Sequence, residues 1–535
     1  MRTETFDFVV VGSGAAGSVL AHRLSEGGRH SVLVIESGSS DRNPLHRVPK
    51  GFFFTLRGTR YSHHYPTEPI EGTDTRELWI RGNVVGGSTT VNGLMYLRGS
   101  KADYDLLEAR TGSPRWGWVG FLAAYRAMED HALGGSPLRG AGGELPVSIR
   151  GADDELTRRV CASAAELGWG FVDDVNAHDA ERIGFAPETS RHGVRASAAS
   201  AFLRPALRRT NVSLVTDTTA TRIVLRRGRA VAVHGMQRGA PVEFAARREV
   251  IVAAGTVESA LLLERSGVGR ADVLHGIGVD LAVESPNVGE RVIEHHGAAN
   301  VQVALTKRLG ATERLNTVLK QGASGAGYVL SRRGPVSTGF ADFAFLSKSD
   351  PGLDRPDLMG TISSIAIDPG APRLEPASHS GISISMWQIR PDTTSSVHAT
   401  SAHPARPIVR PRYFETDRDR RAAGNALAVA RRLLAQTPLA EVSGGEDFPT
   451  KAVASDPAAA IDYARRHGST IYHAVGSCAM GPGDADVVDA DLRVRGVDGL
   501  RVVDASVLPL HVSGNTAAPV MALAWIAGGM IADSA

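Results

Sequence analysis

Cysteine is nearly missing: the chain of 535 residues has two, Cys161 and Cys478, far apart. Such a pair is no disulfide framework, and with no CxxC or His-rich spacing no metal site is expected. Both thiols are expected to be small buried apolar groups. No apolar run reaches the length that crosses a bilayer, so no membrane span is expected. Charge of one sign is missing too. The net charge of +2 gives no reason to expect nucleic acid or an anionic membrane as a partner. Lysine is scarce beside arginine, and alanine is abundant, which fits a GC-rich bacterial genome better than a basic binding face. The first apolar run begins at Phe6, leaving no room for a secretory leader, so a cytoplasmic location is expected. There is no internal repeat.

What is present starts at once. Phe6 to Val11 reads as a short buried strand. Gly12, Gly14 and Gly17 follow at G-x-G-x-x-G spacing, and Ala16 to Leu24 has the pattern of an amphipathic helix. Gly12 permits the tight turn, Gly14 the close approach of a pyrophosphate, and Gly17 the packing of helix on strand. The helix N-terminus offers free amides to phosphate oxygens. A second buried strand, Ser31 to Ile35, ends in Glu36, well placed to accept from an adenosine ribose. Strand, fingerprint, helix, strand and acid in this order predict a dinucleotide site. They do not choose between FAD and NAD.

Hydrophobic content of 42% and charged content of 22% are those of a globular protein, and the length predicts two domains. Ser37 to Glu77 reads as irregular, and Arg81 to Gly99 as a glycine-rich loop entering a helix. Asp153 to Leu167 reads as a helix, Asn211 to Val215 and Arg222 to Leu225 as strands. Glu249 to Gly255 reads as another buried strand, followed by a helix over Val257 to Ser266. From Gly297 to Gly445 the chain is rich in Ser, Thr, Pro and Arg and predicts a mostly antiparallel second domain. There Gly381 to Ile389 alternates like a half-buried strand. Gly499 to Asp504 and Thr516 to Ile531 return to a strand and an apolar helix. The expected fold is mixed α/β: a Rossmann-like dinucleotide-binding domain from 1–150, 195–296 and 455–535, and a substrate-binding domain from 151–194 and 297–454.

These motifs together resemble the glucose-methanol-choline (GMC) oxidoreductase family. Arg81-Gly-Asn-Val-Val-Gly-Gly-Ser-Thr-Thr-Val-Asn92, with Tyr96 and Arg98-Gly99, is similar to its first signature, and Gly255 to Gly269 to its second. Arg195-x-Ser197, Ala201-Phe-Leu203, Asn287-x-Gly289 to Glu294-His295, Leu500 to Ser506 and Ser513-Gly-Asn-Thr516 fit as well. Ala260 stands where Pro or Ser is usual, with little consequence expected. Some members attach FAD covalently through a His at the place of Val91; valine cannot form that bond, so non-covalent FAD is implied.

The resemblance implies a base, His473, and a partner, Asn515, where other members have a second His. Imidazole suits removal of a hydroxyl proton near neutrality, and an amide can hold the substrate oxygen without competing for that proton. The cofactor shell implied is Gly12, Ser13, Gly14, Ala15, Ala16, Gly17, Glu36, Gly87, Ser88, Asn92, Gly93, Met95, Ala220, Tyr472, Asp504, Ala505, Asn515 and Thr516. The expected reaction is oxidation of a primary alcohol to an aldehyde, with O2 or another electron acceptor completing the cycle. A sugar, an amino-sugar or another polar alcohol is the expected substrate. A lyase or photoenzyme of the same family and a non-catalytic FAD-binding protein are the alternatives. The pairs His63-His64 and His295-His296 are read as non-chelating, since neighbours on an extended chain point opposite ways. Arg418 to Arg421 is read as a solvated helix face, and Trp116 and Trp118 as packing residues.

Overall fold

The computed structural model describes residues 3–368, 370, 375–450, 453–454 and 456–534. Residues 1, 455 and 535, which bound expected domain segments, lie outside them. Two seven-stranded sheets organise the chain.

The first sheet grows from strand β1 (Thr3–Val11), helix α1 (Ala15–Leu24) and strand β2 (Val32–Ile35). β1 is parallel to both β2 and Ala240–Val252, and its apolar residues from Phe8 to Val11 are buried. That is why its sequence is apolar on both faces rather than alternating. Val212–Val215 extends the sheet beyond β2, and an antiparallel meander of Thr218–Arg226 and Arg229–Gln237 extends it on the other side. Leu500–Val502 pairs parallel with Ala240–Val252, so the C-terminal part of the chain completes the sheet that the N-terminal part starts.

α1 departs from the amphipathic reading: it is buried on nearly every side. One side lies on β1, and the other carries the C-terminal helix Ala517–Ser534. A side chain at Gly17 would strike the Gly12 carbonyl, and one at Gly528 the Arg23 side chain, so small residues set both approaches. The C-terminal helix also corrects the expectation about apolar runs. By length and composition alone it could cross a membrane, yet it is buried along α1 and Trp118–Met128.

The second sheet runs Ser443–Phe448, Gly297–Leu305, Gly381–Gln388, Leu358–Ser363, Phe343–Ser347, Arg182–Phe185, Gly170–Phe171, antiparallel except for the last pair. Its two faces do different work. Ile382, Ile384 and Met386 pack under helix Asp417–Leu434, while Trp387 and Ile389 turn to the other side with Met95, Leu97 and Ile471. The half-buried reading of Gly381 to Ile389 therefore holds only as far as Met386; from Trp387 onward both faces are covered.

Two further readings are corrected. Ser37 to Glu77 is not irregular throughout, because Ser62–Pro69 pairs antiparallel with Arg76–Gly82. Arg418 to Arg421 is not wholly solvated: Asp419 is buried, and its carboxylate accepts from Gln388 Nε2, the Asp392 and Thr393 amides and the Thr393 hydroxyl. Cys478 is buried as expected, but Cys161 is only half-buried.

Candidate active site

The glycine fingerprint sits where β1 hands over to α1. Gly12 has φ of 102°, and a side chain there would strike the Ala253 carbonyl of the neighbouring strand. No side chain caps α1, so the amides after Gly14, at Ala15 and Ala16, stay available to an anion. A Cβ on Gly14 would meet nothing within 4 Å, which leaves open the direction from which a phosphate would come. Ser13 donates to Glu36 Oε2 from both its amide (2.9 Å) and its hydroxyl (2.6 Å), and Gly38 N donates to Oε1 at 2.8 Å. Glu36 thus ties the two strand ends together, with both lone pairs of Oε2 and one of Oε1 taken by short hydrogen bonds.

The loop at Gly87 closes onto the fingerprint. Gly86 N donates to Ser13 Oγ at 3.1 Å, and a Cβ on Gly87 would come within 2.8 Å of Gly14 Cα. Ser88 opens the single helical turn Ser88–Val91 and accepts from Gly82 N at 3.0 Å. Asn92 Oδ1 accepts from Arg195 Nη1 at 2.7 Å, which fixes the loop at Gly93 and Met95. Ala220 lies on the meander strand that begins at Thr218, whose amide bonds the Glu36 carbonyl. Asp504 is buried, and its four hydrogen bonds come from Gly255 N, Ser259 Oγ and the amide and hydroxyl of Ser506. The Ala505 carbonyl faces Gly476 N, and Thr516 opens the C-terminal helix.

The strongest geometry is at His473. Its Nε2 lies 3.0 Å from Asn515 Nδ2, and its Nδ1 lies 2.9 Å from His295 Nδ1. His295 Nε2 lies 3.0 Å from the Ile389 carbonyl. A carbonyl only accepts, so His295 carries its proton on Nε2. Burial pushes the His295 pKa down to about 4, so the ring is neutral and its Nδ1 is an acceptor. His473 must then carry its proton on Nδ1, which leaves a lone pair on Nε2, facing the amide nitrogen of Asn515 rather than its oxygen. Burial, with smaller contributions from His295 and Arg81, also pushes the His473 pKa well below the usual imidazole range. The site therefore holds a neutral imidazole with a fixed tautomer.

Four residues surround the His473–His295 pair. Glu294 accepts from the amides of His473 (2.6 Å) and Ala474 (2.8 Å) and pairs with Arg81 at 3.2 Å. His511 stacks on His295 at 3.9 Å between ring centroids and meets the Ile293 carbonyl at 3.1 Å. Tyr472 takes a left-handed φ of 65°, a conformation rare for a side-chain-bearing residue, immediately before the base. Trp387 of the second sheet closes the site, its ring 6.3 Å from that of His473.

Sequence reasoning missed the roles of His295, His511, Trp387 and Glu294. The signal for two of them was in hand, since Glu294-His295 ends one of the recognised motifs. Both ring nitrogens of His295 are hydrogen-bonded, to His473 and to the Ile389 carbonyl, and among the described residues there is no group of three His, Cys, Asp or Glu that could hold a metal ion. His64 instead bonds Ser62 Oγ at 2.9 Å.

Two features fit a bound flavin dinucleotide: the open amide terminus at Gly14, and the Asn515 Oδ1 atom, which is buried without a partner beside the base. Comparison with known proteins agrees. Residues 6–297 and 391–524 match the N- and C-terminal parts of the GMC oxidoreductase family. The chain is 35% identical over 520 residues to the oxygen-dependent choline dehydrogenase of Rhizobium meliloti (strain 1021), covering 96% of this chain and 93% of that protein. A GMC-type oxidoreductase of Mycobacterium tuberculosis (strain ATCC 25618 / H37Rv) is likewise 35% identical, with 97% of each chain covered. Among solved structures, pyridoxine 4-oxidase from Mesorbium loti superposes with a TM-score of 0.87 at 29% identity, covering 98% of each chain. A formate oxidase superposes at 0.91 with 22% identity over 100% of this chain and 99% of its own, a likeness of fold. The chain belongs to the GMC oxidoreductase family and is an FAD-dependent oxidoreductase acting on CH–OH groups.

Proposed function

We propose that the protein oxidises a primary alcohol with polar neighbours to its aldehyde, with His473 as the base and non-covalently held FAD as the oxidant. The observation that carries this reading is the His473–Asn515 pair, with Nε2 and Nδ2 3.0 Å apart. A hydroxyl seated against both replaces the Nδ2–H···Nε2 hydrogen bond, donating its proton to the Nε2 lone pair and accepting from Nδ2, so one oxygen satisfies both groups. As alkoxide character develops, the Asn515 amide stabilises it without offering a competing base. The proton taken at Nε2 makes His473 an imidazolium, whose Nδ1–H is already aimed at the neutral His295 Nδ1. Bound FAD supplies the acceptor for the hydrogen leaving carbon with its electron pair. Ser13 to Gly17, Glu36, Gly87 to Met95 and Thr516 hold that cofactor in this reading, and Val91 leaves no covalent attachment through a histidine at its position.

Support for a polar substrate comes from relatives whose names state choline and pyridoxine. It comes also from two polar atoms buried without partners in and beside the site, Asn515 Oδ1 and Trp387 Nε1. The test is anaerobic absorbance of the purified holoenzyme against choline, pyridoxine, amino-sugars and aryl alcohols, followed by air. One class is expected to bleach the flavin. His473→Ala is expected to stay yellow and slow that bleaching by about 10²–10⁴-fold. Fast recovery of colour in air marks an oxidase, slow recovery a dehydrogenase. Turnover without bleaching would replace this reading with the lyase.

A further inference from the structure

Helix Val318–Ser331 is turned inside out. Val318, Leu319, Val329 and Leu330 are 85%, 86%, 67% and 88% exposed. Their spacing of i, i+1, i+11 and i+12 places them on one stripe, with the small residues Gly322, Ala323 and Ala326 exposed between them. The polar face is the one that meets the protein. Gln321 Nε2 donates to the Leu315 carbonyl at 2.8 Å, Ser324 Oγ to the Arg314 carbonyl at 2.9 Å, and buried Tyr328 to the Gly193 carbonyl at 2.9 Å. These bonds fix which side faces out. Four large apolar side chains held in water by polar anchoring mark a surface that is covered in use.

Charge says by what. Between Thr306 and Phe340 stand Lys307, Arg308, Arg314, Lys320, Arg332 and Arg333 against the single acid Glu313; Lys307 pairs with Glu155 at 3.0 Å and Arg308 with Glu313 at 3.4 Å, which leaves Arg314, Lys320, Arg332 and Arg333 as the basic residues flanking the stripe in a chain whose net charge is +2. The whole-chain figure hides this concentration. Two copies meeting through this face would bring two such segments together and repel. An anionic lipid surface meets both demands, burying the stripe and attracting the basic residues beside it. We infer that Val318–Ser331 is an in-plane helix that docks the protein on an anionic membrane surface.

The placement matters for the enzyme. Just past this helix, Gly339 N donates to Glu188 Oε1 at 2.5 Å, and Phe340 N donates to the Gly93 carbonyl at 3.1 Å, on the loop proposed to line the flavin. Docking through Val318–Ser331 therefore brings the edge of the site to the lipid. The inference holds whatever alcohol the enzyme takes.

The experiment is co-sedimentation of the purified, flavin-loaded full chain with vesicles of phosphatidylcholine, with and without phosphatidylglycerol, at low and high salt. Binding is expected with phosphatidylglycerol at low salt, and weaker without it or at high salt. Leu319→Gln/Leu330→Gln is expected to lower partitioning by about tenfold or more, and Lys320→Ser/Arg333→Ser to remove the preference for phosphatidylglycerol. All four side chains are solvent-facing, so flavin content should match the wild type. No sedimentation of the wild type, or equal sedimentation of the leucine variant, overturns the inference. So does a wild-type dimer by light scattering that Leu319→Gln/Leu330→Gln converts to a monomer, which would assign the face to a second copy.

Discussion

At the scale of single residues, the proposed role of His473 as base depends on a proton on the far side of its ring. The order Ile389 carbonyl, His295, His473, substrate runs through hydrogen bonds of 3.0 and 2.9 Å, and each step dictates the next tautomer. Without an acceptor at Nδ1, His473 could place its proton on Nε2 and lose the lone pair that takes the hydroxyl proton. His295→Phe keeps an aromatic ring against His511 but removes that acceptor. Its bound flavin should be unchanged, while flavin reduction by substrate slows by about 10²-fold. His295→Gln can still accept from Nδ1–H and donate to the Ile389 carbonyl, and should recover part of the rate. A His295→Phe enzyme reduced at the wild-type rate would remove His295 from the mechanism. His473 was legible in the sequence because a local motif surrounds it. His511 was not, because its place beside the site depends on stacking across elements far apart in the chain.

At the scale of elements, the legible parts were those whose periodicity has one cause. β1, α1 and β2 follow one another with no insertion, and glycines mark the close approaches. The hairpin Ser62–Pro69 with Arg76–Gly82 was hidden because His63, His64, Pro66 and Pro69 carry no strand-like alternation, although the backbone pairs them. Glu294 stood in a recognised motif, but its role there did not show, because it is exerted on the backbone amides of His473 and Ala474 far along the chain. Burial pushes its pKa up to about 7, against the pull of Arg81. Its two oxygens both accept when ionised, and protonation turns one of them into a donor, loosening the segment that carries His473. His473 itself, held well below the usual range, stays unprotonated through this window. The rate of flavin reduction should therefore fall as pH is lowered through about 7. Glu294→Gln should flatten that limb and lower the plateau by about tenfold, the value of one lost hydrogen bond to a charged group. Stopped-flow reduction from pH 5.5 to 9 reads both effects, and a limb that persists unchanged in the variant would assign it to another group.

At the scale of the whole molecule, the site exists only where the two sheets meet: the first brings the fingerprint, the second brings Trp387 and the Ile389 carbonyl. A buried clip fastens the short strand Ser396–His398 to the nucleotide-binding side. His398 Nδ1 lies 2.6 Å from Glu264 Oε1 on helix Gly255–Arg265, and Nε2 lies 3.1 Å from Glu290 Oε1. Burial alone would lower the His398 pKa, but its hydrogen bonds to Glu264 and Glu290 outweigh that and raise it to about 9. A histidine raised in the folded state contributes stability that is complete below its unfolded pKa of about 6.5, and loses it as pH rises through its folded value. The contribution is up to about 3 kcal/mol, taken from the distance between those two values. The urea midpoint of the holoenzyme should therefore drop between pH 6.5 and 9. His398→Gln should be less stable at pH 6 and should lose little more over that range, because the titrating ring is gone. A variant that declines with pH as steeply as the wild type would show that the loss arises elsewhere, and that the fastening of this strand does not depend on this proton.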